Sequence, residues 1–330
     1  MSTLFNLRGR KVKFTTSDLT MSTATEGEVF YSNSGSEFKV GINVVAWASG
    51  GDMSGTRSDA GAGGTQTAAF AAGGYNPSGP SFNNITEEYD GSSWSNGGNL
   101  GTARYNMSGS GTLTAGLVAC GRQEASTPRP AGGTVLVEEY DGSSWTESGD
   151  TSTGHGFAWM AGTQTASLIA SGLAQPSPAS PTTNAESYDG SSWTEGPNVN
   201  TARYGLQGFG TSTAMVVTGG TGGTALVEEY DGSSWSEVTN LPGARSNGSG
   251  SGSLTAGMVF CGNPGSMTTV FTYDGTNWAS AAAVANGRNS LNRGLTITGN
   301  SSSMAFAGSP SFQSTEEYGG TITLKTITDS

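Results

Sequence analysis

Charge and histidine are scarce in this 330-residue chain. Only 12% of its residues are charged, and His155 is its single histidine. The 26 acidic residues outnumber the 14 basic ones, for a formal net charge of -12. Because an acidic surface repels phosphate backbones, we expect no nucleic acid partner. One histidine and two cysteines are too few for a typical zinc cluster, so we expect no metal and no cofactor.

Long apolar runs are also absent from the sequence. No stretch is long enough to cross a bilayer, and the first residues lack the charged, apolar and small-residue order of a secretory signal. We therefore expect a soluble chain without membrane insertion. Two cysteines alone neither prove nor exclude an oxidising compartment.

Glycine is abundant, at 53 residues, and a short motif recurs. The motif Tyr-Asp-Gly-Ser-Ser-Trp begins at Tyr89, Tyr140, Tyr188 and Tyr230, with a drifted copy at Tyr273 and a truncated one at Tyr318. Successive tyrosines are 42 to 51 residues apart. This is the length of one four-stranded propeller blade.

The rest of each repeat also has the order of a blade. An Arg, replaced by His155 in the third copy, precedes a strand of small residues, and a more apolar strand follows it. That second strand ends in a glycine in all six copies, namely Gly74, Gly121, Gly172, Gly220, Gly262 and Gly308. Small residues fit strands that converge on an axis, and Asp-Gly favours a hairpin turn between the third and fourth strands.

The two ends of the chain complete each other. The sixth copy stops at Gly320 without its Trp, whereas Trp47 stands alone after Val44-Val45-Ala46. We therefore predict an all-β, six-bladed propeller over residues 41–320, closed when the N-terminal strand pairs with the C-terminal blade. Residues 1–40 form an attachment or oligomerisation arm, and residues 321–330 form a C-terminal strand or tail. A two-sheet sandwich is the alternative.

Three local predictions follow from this architecture. Residues 28–31 and 37–40 should form a hairpin, and residues 321–325 alternate like an additional strand. Cys120 and Cys261 occupy the same strand position in blades two and five, opposite one another in the ring, too far apart for a disulfide. We therefore expect two buried free thiols.

The repeats resemble the kelch repeat. The pattern of that family is an Arg before the first strand, a Gly doublet after the second, then Glu-x-Tyr-Asp and a Trp. In blade four, Arg203, Gly219-Gly220, Glu228 to Asp231 and Trp235 follow it. The resemblance covers about 280 residues and implies a propeller. Four of the six doublets have replaced their first glycine with Cys120, Ser171, Cys261 or Ala307.

The sequence favours a non-enzymatic protein. Galactose-oxidase-like kelch enzymes need several histidine and tyrosine ligands, and a sialidase uses one asymmetric arginine cluster. Here one Arg recurs per blade, which indicates a scaffold, and His155 replaces it as a structural residue. We expect Arg104 to pair with Glu138 or Glu87, and the equivalent arginines to pair likewise. Blade five is the exception, because it lacks the Glu. The repeated Asp residues are better suited to stabilising turns than to binding Ca²⁺.

The loops between second and third strands differ between blades and so indicate where binding occurs. They are long in blades one to three and short in blade four, and all should lie on one face. Loops on a rigid scaffold often bind ligands, although neutral insertions are an equal alternative. The predicted binding patch consists of Tyr75, Phe82, Arg122, Glu124, Arg129 and Gln175.

The near-identical repeats and the Gly/Ser/Thr-rich composition resemble kelch-like proteins of tailed, especially marine, phages. This resemblance implies a virion protein, assembled in the host cytoplasm and exposed on the particle as a tail-fibre or appendage component for host adsorption. The basic cluster Arg8, Arg10, Lys11 and Lys13 would attach it to other virion proteins, a host glycan or surface protein would be the ligand, and homo-oligomers are expected. Alternatives are a capsid-decorating or neck protein, an intracellular kelch scaffold, and a glycan-active enzyme.

Overall fold

A computed structural model describes residues 13–15, 29–32, 36–79, 82–123, 133–174, 179–222, 224–291 and 301–326. These residues form strands, bridges and turns, and they contain no helix. The chain divides into two compact units. One comprises residues 1–46 and 319–330, and the other runs from Trp47 to Tyr318.

The first unit contains the predicted hairpin. Val29–Ser32 is antiparallel to the beginning of Glu37–Ser49, with Val29 opposite Val40, and it is parallel to Lys13–Thr15. The hairpin is therefore confirmed. The additional C-terminal strand is not a separate element, because residues 321–325 continue the strand Thr315–Thr326. Of the predicted basic cluster, Arg8, Arg10 and Lys11 lie outside the described residues.

The second unit has the predicted blades. Each of blades one to five is a four-stranded antiparallel meander, in which short turns join the first two and the last two strands. The strands are Gly61–Thr65, Ala68–Ala72, Thr86–Tyr89 and Trp94–Asn96 in blade one; Ser108–Thr112, Ala115–Ala119, Val137–Tyr140 and Trp145–Glu147 in blade two; Trp159–Thr163, Ala166–Ala170, Ala185–Tyr188 and Trp193–Glu195 in blade three; Gln207–Thr211, Ala214–Thr218, Val227–Tyr230 and Trp235–Glu237 in blade four; Ser249–Ser253, Ala256–Phe260, Val270–Tyr273 and Trp278–Ala281 in blade five.

Blade six combines the two ends of the chain, as predicted. Its strands Ser303–Phe306 and Thr315–Thr326 are followed in the sheet by Glu37–Ser49. The Trp47 ring packs 5.2 Å from the Tyr318 ring and 5.2 Å from the Phe260 ring of blade five. Residues 292–300, which precede Ser303–Phe306, lie outside the described residues.

Four of the blades each contain a buried ion pair between an arginine and a glutamate. Arg57, Arg104, Arg203 and Arg288 each reach a glutamate on the third strand of the same blade, and the predicted Arg104–Glu138 pair is 2.7 Å long. The Arg104 guanidinium also donates to the carbonyls of Cys120 and Leu136. Each blade thus ties the segment before its first strand to its second and third strands.

Blade five replaces this ion pair with an aromatic contact. Phe271 occupies the glutamate position, and the Arg245 guanidinium lies 4.5 Å from its ring centroid. In the other blades the glutamate also accepts a hydrogen bond from the backbone N–H of the residue three positions before the Arg or His. In blade two, for example, the Gly101 N–H donates to Glu138. The corresponding residue in blade five is Pro242, which has no N–H. Blade five therefore lacks both the carboxylate and the backbone N–H that donates to it in the other blades.

The repeated Asp-Gly-Ser-Ser segments are turns, as expected. In blade one, Asp90 Oδ1 accepts the backbone N–H groups of Ser92 and Ser93, each at 2.8 Å. These bonds, with the Ser92 hydroxyl, lower the pKa of Asp90 to about 2. Gly91 between them has φ +94°, which explains the glycine.

Neighbouring blades meet through aromatic packing and tyrosine–carboxylate hydrogen bonds. Tyr140 of blade two donates to Glu88 of blade one, and Tyr188 donates to Glu139 at 2.5 Å. Trp159 is an exception to the expected small residues on the first strand. Its indole fits against Gly208 of the next blade, where a Cβ would come within 2.7 Å of the ring.

Candidate binding face

One end of the propeller unit gathers the segments that differ between blades. The loops from second to third strands are found there, together with the residues that precede each first strand. The two sets are joined by bridges such as Ser58 to Tyr75 and Tyr105 to Arg122. We call this end the variable face. The Asp-Gly turns lie at the opposite end of the strands, because successive strands are antiparallel.

A ring of left-handed residues forms the centre of the variable face. These residues lie two positions after the repeat Arg or His, and they are Asp59, Asn106, Phe157, Gly205, Asn247 and Ser290, with φ between 53° and 70°. The N–H of Asn106 donates to Asp59 O at 2.7 Å, and Asp59 N–H donates to Ser290 O at 2.9 Å. Comparable bonds link Phe157, Gly205 and Asn247 in sequence. The ring fixes the backbone around the propeller axis.

A concavity of about 380 Å³ opens at this ring. Four aromatic side chains line it, namely Tyr75, Tyr105, Phe157 and Phe312. Polar residues complete the lining, namely Ser58, Asp59, Asn106, Asn289, Ser290 and Ser309. We call it the axial concavity. Aromatic surface with a few converging polar groups is the usual composition of a small-molecule or sugar site.

The aromatic side chains continue as an arc along the variable face. The Phe82 ring stacks on Tyr105 with centroids 4.5 Å apart, and Tyr75 lies 6.4 Å from Tyr105. The Arg122 guanidinium then lies over Tyr105 and over Phe157, at 5.7 and 5.9 Å. Phe157 in turn packs against Tyr204 at 5.7 Å.

The structure places three of the predicted patch residues in this arc. Tyr75, which is 37% exposed, lines the axial concavity, and Phe82 and Arg122 lie beside it. Glu124, Arg129 and Gln175 lie outside the described residues. A second concave space of about 430 Å³, next to Gln123 and Gly133, borders the undescribed residues 124–132, so we assign no site to it.

The groups that most often perform catalysis are tied into the blades. His155 is fully buried, with Nδ1 2.6 Å from Ser171 O and Nε2 3.1 Å from Glu186 Oε1. Burial raises the pKa of Glu186, but hydrogen bonds from His155, Ser152 and Thr153 outweigh it and lower that pKa. Cys120 is a free, buried thiol as expected, and burial raises its pKa to about 12.

Sequence reasoning missed half of the arc. Tyr105, Phe157 and Tyr204 follow the repeat Arg or His by one or two positions, where other blades carry small or polar residues. That contrast between aligned copies was a usable signal. The long loops drew attention instead, although their tips contribute less to the described concavity than the segments before the first strands.

No family description matches the chain, and a search of curated proteins finds no significant match. Solved structures do match. One of them, described as "Structure of YjhT", has a TM-score of 0.65 and 10% sequence identity over 82% of this chain and 99% of that one. Such low identity shows the fold alone. Among the described residues, no helix is long and apolar enough to cross a membrane. The chain is a six-bladed β-propeller.

Proposed function

We propose that the chain is a non-enzymatic recognition protein of a tailed-phage particle. In this proposal the propeller unit binds a glycan or surface protein of the host cell through the axial concavity. The observation that carries the proposal is the concavity itself. It combines aromatic and polar side chains at the one end of the unit where the blades differ from each other.

The chemistry of the lining favours a sugar. The apolar face of a pyranose packs on an aromatic ring, and Tyr75, Tyr105 and Phe157 offer such rings around a space of about 380 Å³. The half-buried Asn289 can exchange hydrogen bonds with hydroxyl groups, and the Asp59 carboxylate can accept them. Backbone hydrogen bonds to Ser290 and Asn106 hold Asp59 in place, which lowers the entropic cost of binding.

Binding without catalysis is supported by where the reactive side chains lie. Asp59 is the carboxyl group in the described lining of the axial concavity, and His155 and the two thiols are buried elsewhere. Acid–base hydrolysis of a glycosidic bond ordinarily requires a pair of carboxyl groups. Among the described residues, no group of three or more His, Cys, Asp or Glu could hold a metal ion.

The place on a phage particle rests on the resemblance of the repeats to kelch-like phage proteins. The basic cluster Arg8, Arg10, Lys11 and Lys13 contrasts with a chain of net charge -12, and opposite charges would seat this segment on other virion proteins. We further propose that the protein acts as a homo-oligomer on the tail fibre or a comparable appendage.

The direct test is a microarray of bacterial surface polysaccharides probed with the labelled full-length chain. We expect selective binding, with bound glycans recovered intact by mass spectrometry. Antibodies against the propeller should label intact phage particles in electron micrographs. Shortened glycan products would contradict the absence of catalysis. Labelled particles without any glycan or cell binding would favour the capsid-decorating or neck role.

A further inference from the structure

Arg122 differs from every other described cation of the propeller unit. Arg57, Arg104, Arg203, Arg245 and Arg288 are buried inside their blades. Arg122 is half-buried and begins the loop of blade two on the variable face. Within the described part of residues 47–318, it is the one Lys or Arg that is not buried.

The described contacts of the Arg122 guanidinium are with aromatic rings. Its guanidinium lies over the rings of Tyr105 and Phe157, and no described carboxylate forms an ion pair with it. A guanidinium has five N–H donors and contact with aromatic rings does not use them up, so they can match the two oxygens of a carboxylate or sulfate. Both rings also line the axial concavity, so an anion bound at Arg122 would adjoin that space.

The charge of the whole chain makes this position selective. With a net charge of -12, most of the surface repels anions, and a free anion gains little from it. An anion attached to a sugar is different, because the sugar ring can also pack against the aromatic lining, such as Tyr75 or Phe157, while the anion reaches Arg122. One half-buried cation among the described residues of the propeller unit also cannot support the many phosphate contacts that a nucleic acid needs.

We propose that the axial concavity and Arg122 together bind an acidic glycan, through a sugar carboxylate or sulfate. This inference rests on the proposed glycan-binding function and names the ligand class. Arg122 binds the anion, the aromatic rings hold the sugar face, and Asp59 and Asn289 bind hydroxyl groups farther into the concavity. Neutral glycans lack the group that Arg122 would bind.

The test compares matched acidic and neutral glycans on one array. Polygalacturonate is paired with its methyl ester, and a sulfated galactan is paired with its desulfated form. The probes are the full-length wild-type chain, Arg122→Met, Arg122→Lys and Ser280→Glu. Ser280 is exposed on the outer strand of blade five, at the position of Glu147 in blade two, so its change matches the loss of one positive charge far from the site.

We expect the wild type and Ser280→Glu to bind an acidic member at least tenfold more tightly than its neutral counterpart. Arg122→Met should lose about tenfold or more of that affinity, and Arg122→Lys should lose less, because Lys keeps the charge without the fork of donors. The carboxylate and sulfate pairs show which anion is preferred. Equal binding of acidic and neutral members, or unchanged binding by Arg122→Met, overturns the inference and leaves glycan binding intact. Binding to no glycan overturns the proposed function as well. Thermal unfolding of each variant shows that it is folded.

Discussion

Replacing Arg104 with Met tests how the blades are held together. The Arg104 guanidinium is fully buried and donates to Cys120 O at 2.9 Å, to Leu136 O at 2.7 Å and to Glu138 Oε1 at 2.7 Å. Met fills much of the same volume but removes the charge and all three donors. The Glu138 carboxylate, which is 5% exposed, then keeps only the backbone N–H of Gly101 as a described partner.

The expected cost is large because a buried carboxylate loses its counter-ion. Breaking a buried ion pair from one side costs about 3–5 kcal/mol in free energy of unfolding. For a unit of this size, each kcal/mol shifts the melting temperature by roughly 2–4 °C, so we expect a decrease of roughly 6–20 °C. Replacing both partners, as Arg104→Met with Glu138→Leu, should recover at least half of the loss, since no charge is left buried.

Arg245 supplies a matched control in the same chain. Its guanidinium pairs with no carboxylate among the described residues, and its described contacts are the Phe271 ring, the Thr269 hydroxyl at 2.9 Å and two carbonyls at 3.3 and 3.4 Å. Arg245→Met should therefore cost only about 1–2 kcal/mol. Urea unfolding followed by tryptophan fluorescence measures both variants. Equal losses, or a smaller loss for Arg104→Met, would refute the role assigned to the buried carboxylate.

Three further predictions concern contacts between blades and at the turns. The buried Trp193 Nε1 has no described hydrogen-bond partner, whereas the equivalent Trp145 indole donates to the hydroxyl of Thr86 in the preceding blade. Val137 occupies the position of Thr86 in the blade that precedes Trp193. Val137→Thr should therefore supply an acceptor and stabilise the fold by about 1 kcal/mol in urea unfolding. Tyr140 and Tyr188 donate to Glu88 and Glu139 of the preceding blades, and Ser187 is the equivalent residue in the blade before Tyr230. Ser187→Glu should therefore give Tyr230 a carboxylate partner and raise the free energy of unfolding by roughly 0.5–1 kcal/mol. Stability should fall between about pH 4 and pH 2, because hydrogen bonds in the turns lower the folded-state pKa to about 2 for Asp90, Asp141, Asp189 and Asp231.

Each of these predictions has its own control. Val227→Thr should destabilise, because the Trp278 indole already donates to Thr239 O at 3.0 Å, and equal effects at both valines would contradict the reasoning. Ser187→Gln adds a similar side chain without the charge, and it should give less than the Glu variant. A carboxyl group whose pKa is lower in the folded state stabilises the fold at pH values above its ordinary pKa. That stabilisation is lost as the pH falls through the folded-state pKa. A flat profile from pH 4 to pH 2 would therefore be unexpected.

The fold could be predicted because its signals recur along the chain. The Tyr-Asp-Gly-Ser-Ser-Trp motif gave the number of blades, and the unmatched Trp47 and Tyr318 gave the closure, which the structure confirms. The Arg104–Glu138 pair could be predicted for the same reason, since both residues return in most repeats. The absence of the glutamate in blade five could be predicted from Phe271, whereas the contact of Arg245 with that ring and the missing N–H at Pro242 are seen in the structure.

The site could not be predicted fully, because it depends on features that occur once. The left-handed position recurs in all six blades, but a phenylalanine occurs there once, at Phe157 with φ +61°. The backbone of Phe157 is hydrogen-bonded to Asn106 and Gly205 of the neighbouring blades. The residues that replace the first doublet glycine, such as Cys120 at φ +62°, are likewise held left-handed, so the original glycine had a conformational role as well as a small size.

We propose that recognition takes place on the variable face and not at the repeated turns. One array measurement with two variants of the same blade tests it most directly. Tyr105→Ala removes a ring that lines the axial concavity, and Ser143→Ala changes the Asp-Gly turn at the opposite end of blade two. We predict that Tyr105→Ala lowers glycan affinity at least tenfold while Ser143→Ala leaves it unchanged. Unchanged binding by folded Tyr105→Ala, or an equal loss in both variants, would contradict the account.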